Sequence, residues 1–136
     1  MFKNVLIPVA LDHLDALPKQ VACARQMLAD DGHLTALTVL ESLPSYVAEY
    51  AVIERSPKEF LQNAQEVLRS ALKDHPEIGC KVGTGKPGVA IVEAASKMGA
   101  DLIVLAAQRP GSEGYALGST TSRICRRASC SVLIVR

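Results

Sequence analysis

Short, solid apolar runs alternate along this chain with longer stretches in which apolar residues recur at helical spacing. Val5-Leu6-Ile7-Pro8-Val9 is the first run, rich in branched side chains, as in a strand covered on both faces. From Asp15 to Ala29, Leu17, Val21, Ala24 and Leu28 form one helical stripe, which Asp30-Asp31-Gly32 closes. His33 to Leu40 reads as a second buried strand, and Glu41 to Arg55 has no period. Ser56-Pro57-Lys58-Glu59 carries a cap, a first-turn proline and a capping-box glutamate, opening a helix to Lys73. Cys80 to Gly83 is a short strand, and Pro87 to Lys97 a helix ended by Met98-Gly99. Asp101 to Ala106 is the most apolar strand, Ser119 to Ala128 a helix and Ser131 to Val135 a final strand.

Strands that alternate with helices argue for a parallel sheet with helices on both faces. Right-handed crossovers then give an α/β fold, a doubly wound five-stranded parallel sheet flanked by helices and Rossmann-like in plan. The 136 residues show no internal boundary, so residues 1–136 are read as one domain. In such a fold the ligand lies at the carboxyl ends of the strands, where strand order reverses. That points to Pro8-Val9-Ala10 and to Ala106-Ala107-Gln108. Gly118-Ser119-Thr120 opens the last helix with small residues and hydroxyls, a natural seat for phosphate at the positive end of the helix dipole.

Composition narrows the function. Hydrophobic content of 49% with 21% charged residues is that of a globular chain. A net charge of +1 gives no general attraction to nucleic acid. No apolar run approaches the roughly 20 residues of a membrane span, so no membrane partner is expected. Met1-Phe2-Lys3 leads directly into a strand without the features of a signal peptide, and a cytoplasmic location is the expectation. The four cysteines, Cys23, Cys80, Cys125 and Cys130, lack paired spacing, so no metal site is expected. Cys125 and Cys130 can approach across a turn as a redox pair, but reduced, partly buried thiols are the simpler reading.

One motif misleads. Gly83-Thr84-Gly85-Lys86-Pro87-Gly88 matches GxGxxG, yet it follows the third strand, and Pro87 removes an amide that a phosphate cradle would use. Ala107-Gln108 stand where a ribose-binding acid would end the next strand. A glycine-permitted turn with proline at the helix start is the better reading. No P-loop motif is present. Asp12, His13 and Asp15 read as solvated helix-capping residues, with acid–base work the alternative. Tyr46 and Tyr50 fit either a base clamp or an ordinary loop, and Arg123, Arg126 and Arg127 either an anion site or a solvated face. No nucleophile–base pair is legible, so no catalytic residue is assigned.

Taken in order, these segments resemble the universal stress protein family over essentially the whole chain. The likeness rests on Asn4-Val5-Leu6-Ile7-Pro8-Val9, Leu37-Thr38-Val39, Gly85-Lys86-Pro87, Ala100-Asp101-Leu102-Ile103-Val104, Leu117-Gly118-Ser119 and Cys130-Ser131-Val132-Leu133-Ile134-Val135. ATP-binding members of that family carry G-x2-G-x9-G-[ST]. Here the first two glycine positions fall on Ala106 and Arg109, and the last spacer is one residue shorter. Arg109-Pro110 resembles a short-loop bacterial subgroup. The family's aspartate two residues after the strand proline is Ala10 here, with Asp12 two residues later.

The resemblance implies an adenine-nucleotide α-hydrolase-like fold and a cytoplasmic protein that binds ATP or another adenine nucleotide, with or without magnesium. Pro8, Val9, Ala10, Asp12 and Val39 would surround the adenosine, Ala106, Ala107, Gln108 and Arg109 the ribose and phosphate path, and Gly118, Ser119 and Thr120 the phosphates. Slow ATP hydrolysis or autophosphorylation at Ser119 is the most catalysis implied. The alternative is a nucleotide-free homodimeric interaction module of the same fold, suggested by the lost glycines. Homodimer formation through Ser131–Val135 follows from an apolar strand left at a sheet edge, and the resemblance points the same way.

Overall fold

A computed structural model describes residues 1–41, 57–107 and 117–136. Five parallel strands form the sheet: β1 (Phe2–Pro8), β2 (Leu28–Leu40), β3 (Gly79–Thr84), β4 (Leu102–Ala106) and β5 (Ser131–Val135), in spatial order β3-β2-β1-β4-β5. The helices are α1 (Leu17–Met27), preceded by a 3₁₀ turn at Leu14–Ala16, then α2 (Pro57–Ala71), α3 (Pro87–Met98) and α4 (Ser119–Arg127). The order reverses at β1, whose two neighbours are β2 and β4. This is the doubly wound α/β sheet that the hydrophobic pattern implies.

Alternation along the buried strands divides the core between two faces. Val5, Ile7 and Val9 join Leu102 and Val104 against Leu17, Val21 and Ala24 of α1 and Leu68 of α2. Leu6 points the other way with Ile103 and Leu105, packing on Ile91 and Ala95 of α3 and Ile124 of α4. Each fully buried Leu or Ile contributes about 1.5–3 kcal/mol relative to exposure. Strands buried on both faces therefore appear in sequence as solid apolar runs.

One boundary differs from the sequence expectation. Helix α1 stops at Met27, and Leu28 is already extended, so Asp30-Asp31-Gly32 lies within β2 and does not close the helix. Gly32 does not have a positive φ. The strand begins early because Leu28 pairs with Phe2, and the intervening residues bulge before His33 pairs with Asn4. Strand pairing here overrides a strong local stop signal. Gly99, by contrast, ends α3 as expected: at φ 67° it is left-handed, and Ala100 N–H reaches back to Ala95 O at 2.9 Å.

Asp101, just before β4, ties that strand to the start of β1. Its carboxylate accepts the N–H of Lys3 and of Asn4, each at 2.9 Å, while its own N–H donates to Asn4 O at 2.9 Å. The Lys3 N–H, more than any other group, holds the Asp101 carboxyl below the ordinary aspartate range. A depressed carboxyl stabilises the fold above the unfolded-state pKa, about 4, and that contribution is lost as pH falls through the folded value. Asp101→Ala should lower unfolding free energy by about 1–2 kcal/mol at neutral pH. In chemical denaturation, the gap to wild type should close below about pH 4; a gap that persists there would contradict the assignment.

Candidate functional site

The site begins where two strands stop pairing. β1 and β4 are in register at Val5 with Leu102 and at Leu6 with Ile103. Beyond that point their backbones part, and polar groups facing the fork need other partners. Gln20 of α1, 3% exposed, fills it, its Nε2 donating to Pro8 O at 2.9 Å and to Val104 O at 3.2 Å. On the other side of β1, Val9 N–H donates to Leu37 O at 2.8 Å and Thr38 Oγ1 donates to Val9 O at 3.0 Å. The carboxyl end of β1 is thus fastened to both neighbours. A turn closed by His13 N–H on Ala10 O then carries Leu11 and Asp12 above it.

These strand ends enclose a cleft of about 790 Å³. Its apolar walls come from Val9, Leu37, Val39 and Leu105, with Pro87 and Ile91 of α3 alongside. Its far side is the start of α4, from Leu117 to Thr121. The first intrahelical bond there joins Ser122 N–H to Gly118 O, so the N–H groups of Ser119, Thr120 and Thr121 precede the helical ladder. An apolar slot therefore leads to a helix terminus with positive dipole and small side chains. Such a slot suits a flat ring with an anionic tail.

Gly118 is informative. At φ −61° and ψ 159° its backbone is open to any residue, and among the described residues a Cβ built there would meet nothing within 4 Å. Neither backbone strain nor packing among the described residues requires glycine. The missing side chain leaves room beside the cleft.

Of the residues singled out from sequence, Pro8, Val9, Ala10, Asp12, Val39, Ala106, Ala107, Gly118, Ser119 and Thr120 all line this one cleft. Gln108 and Arg109 lie outside the described residues, as do Tyr46 and Tyr50. Sequence reading missed Gln20, Thr38 and Thr121. The usable signal was a polar residue at a core position: Gln20 falls on the inner stripe with Leu17 and Val21, and Thr38 lies within an apolar strand. The solvated, helix-capping reading of His13 needs correction. Its ring is only 12% exposed, makes no side-chain cap to the following turn and borders the cleft, with Nδ1 2.7 Å from Asp15 Oδ1.

The GxGxxG stretch is a structural turn. Gly85 sits at φ 126°, a conformation open to glycine, and Pro87 opens α3. Gly88 is buried under the Arg123 side chain, whose Cδ would stand 2.8 Å from any Cβ there. All four cysteines are free, and burial pushes the Cys80 and Cys130 thiols up, away from thiolate chemistry. No three metal-ligating side chains converge among the described residues, and no described helix is long and apolar enough to cross a membrane.

The sequence profile of the Universal stress protein family matches residues 1–136. Universal stress protein G of Shigella flexneri is 30% identical over 142 residues, covering 100% of both chains. A universal stress protein of Thermus aquaticus is 32% identical over 140 residues, again covering 100% of both. Among solved structures, a universal stress protein in complex with cAMP superimposes with a TM-score of 0.66 at 22% identity, covering 99% of this chain and 97% of that one.

The fork seal is open to direct test. Gln20→Ala removes the donor that satisfies two buried carbonyls, at a cost of about 1–3 kcal/mol in unfolding free energy. Hydrogen exchange at the Val9 and Ala107 amides should accelerate along with it. Unchanged stability and exchange would show that the fork needs no seal.

Proposed function

The chain belongs to the universal stress protein family, and on that premise we propose that it binds ATP or another adenine nucleotide in the cleft at the β1–β4 fork. The observation that carries this reading is the helix start of α4 facing an apolar slot across the fork. Adenine lies between Val9 and Val39, with Pro8 and Ala10 at its edge. Ala106 and Ala107 pass beneath the ribose, where small side chains permit backbone approach, and Asp12 reaches the adenosine from the turn after β1. The N–H groups of Ser119 and Thr120 and the Ser119 hydroxyl take the phosphates, with Gly118 leaving the space they need. The cAMP described with a structural relative supports an adenine-containing guest. Binding and release in the cytoplasm, with little or no turnover, is the activity.

Isothermal titration with ATP, ADP and AMP tests the reading. Binding should register at about millimolar ligand or below. Gly118→Ala should change unfolding free energy by less than about 1 kcal/mol, because loss of chain entropy and a poorer cap oppose each other. The same variant should weaken nucleotide binding by roughly tenfold or more, a Cβ having entered the phosphate space. Absence of heat with all three nucleotides would instead favour the nucleotide-free interaction module.

The protein also forms a homodimer through β5 in this reading. β5 pairs with β4 on one side, and among the described residues no strand covers its other edge. Val132, Leu133 and Ile134 are half-buried there. An apolar edge of that kind is satisfied by a second copy. Light scattering should give about twice the 14.5 kDa chain mass. Leu133→Lys, with its fold verified by circular dichroism, should shift the mass toward one chain. A monomeric wild type at tens of micromolar would refute the dimer.

A further inference from the structure

One face of α4 carries Ser119, Ser122, Arg123, Arg126 and Arg127, which recur at the helical repeat. Together they line a second cleft of about 410 Å³, separate from the fork cleft except at Ser119, which borders both. The two clefts meet at that residue. From Leu117 to Arg136 the sequence holds four arginines and neither aspartate nor glutamate, although the whole chain is only +1. Among the described residues, none of Arg123, Arg126 and Arg127 pairs with a carboxylate, whereas Arg25 pairs with Glu77 and Lys3 with Asp31.

Attraction to the helix dipole accounts for Arg126 and Arg127 in the last turn. It does not account for Arg123, which lies further from that end. The Arg123 stem is seated on Gly88 of α3, closely enough that any side chain at position 88 would push it away. The stem packs there while the residue stays exposed, which holds the guanidinium at the mouth of this cleft. From Ser119 to Arg127 the face runs for about 12 Å, more than a single phosphate occupies.

The geometry points to a second anion site on α4, built for a chain of linked phosphates. The guanidinium forks pair with successive phosphate oxygens, and the Ser122 hydroxyl donates at the end nearer the fork. The site does not depend on an adenine nucleotide in the first cleft. Two sources share its chemistry: the tail of a nucleotide seated at the fork, and free inorganic polyphosphate.

The test is calorimetric titration of the full chain with inorganic tripolyphosphate at low ionic strength, where surface charge is least screened. Wild type should bind one tripolyphosphate per chain. Arg123→Gln/Arg126→Gln/Arg127→Gln should weaken it by about tenfold or more. A control with the same change in charge elsewhere, Lys58→Gln/Lys73→Gln/Lys81→Gln, should stay within about twofold of wild type. AMP titrated in parallel reports the fork cleft alone, so failure of one site is read separately from failure of the other. Competition between ATP and tripolyphosphate would assign the arginines to a nucleotide's tail, and simultaneous binding to a separate chain; both support the site. No binding by wild type, or equal weakening in the lysine control, would overturn it.

Discussion

Parallel strands that diverge at the centre of a sheet leave backbone carbonyls and amides without the partners they have elsewhere, and this fold is organised around that problem. β1 and β4 pair through Leu6 and Ile103 and then separate. An open fork at the middle of the core would expose polar backbone to an apolar interior, at about 1–3 kcal/mol for each unsatisfied group. Gln20 closes the inner end with two bonds from one amide nitrogen. What lies above Gln20 is a depression whose floor is closed by these hydrogen bonds and whose walls are the ends of three strands. The binding cleft is the outer part of the gap that Gln20 seals.

The same reversal directs the helices. Those that follow β1 and β2 pack on one face of the sheet, and those that follow β3 and β4 on the other. Their starts consequently gather at the carboxyl edge, with α4 pointing its N-terminus across the fork toward β1. Close contact between α3 and α4, made possible by the absent side chain at Gly88, fixes the position of α4 relative to the cleft. A glycine that looks like part of a nucleotide fingerprint thus serves helix packing. Gly118, which belongs to no fingerprint read after a first strand, borders the cleft itself.

Much of this was legible in the chain because burial on both faces writes itself as solid apolar runs. Ser131–Val135 is the observed last strand to the residue, and ten of the twelve nominated site residues line one cleft. The topological rule pointed to Pro8, Val9, Ala10, Ala106 and Ala107, the small, hydroxyl-bearing helix start to Gly118, Ser119 and Thr120, and the family resemblance to Asp12 and Val39. What escaped reading were residues whose role depends on a distant partner. Gln20 is a polar residue on a helical stripe until its carbonyl partners at Pro8 and Val104 are known. Asp30-Asp31-Gly32 has the composition of a helix stop, and only the long-range pairing of Leu28 with Phe2 shows that the strand has already begun. His13 likewise gave no local sign that its ring would be mostly buried at the rim of the cleft.

The proposed site is defined by where an adenine nucleotide touches the chain. Amide chemical-shift mapping during titration of the labelled protein with ATP reads this directly. The predicted result is a contiguous set of shifts at Val9, Val39 and Ala107 together with Gly118, Ser119 and Thr120, the two groups moving in one transition. Shifts confined to the Gly83–Gly88 turn, or to either group without the other, would contradict a site formed by the fork and the start of α4.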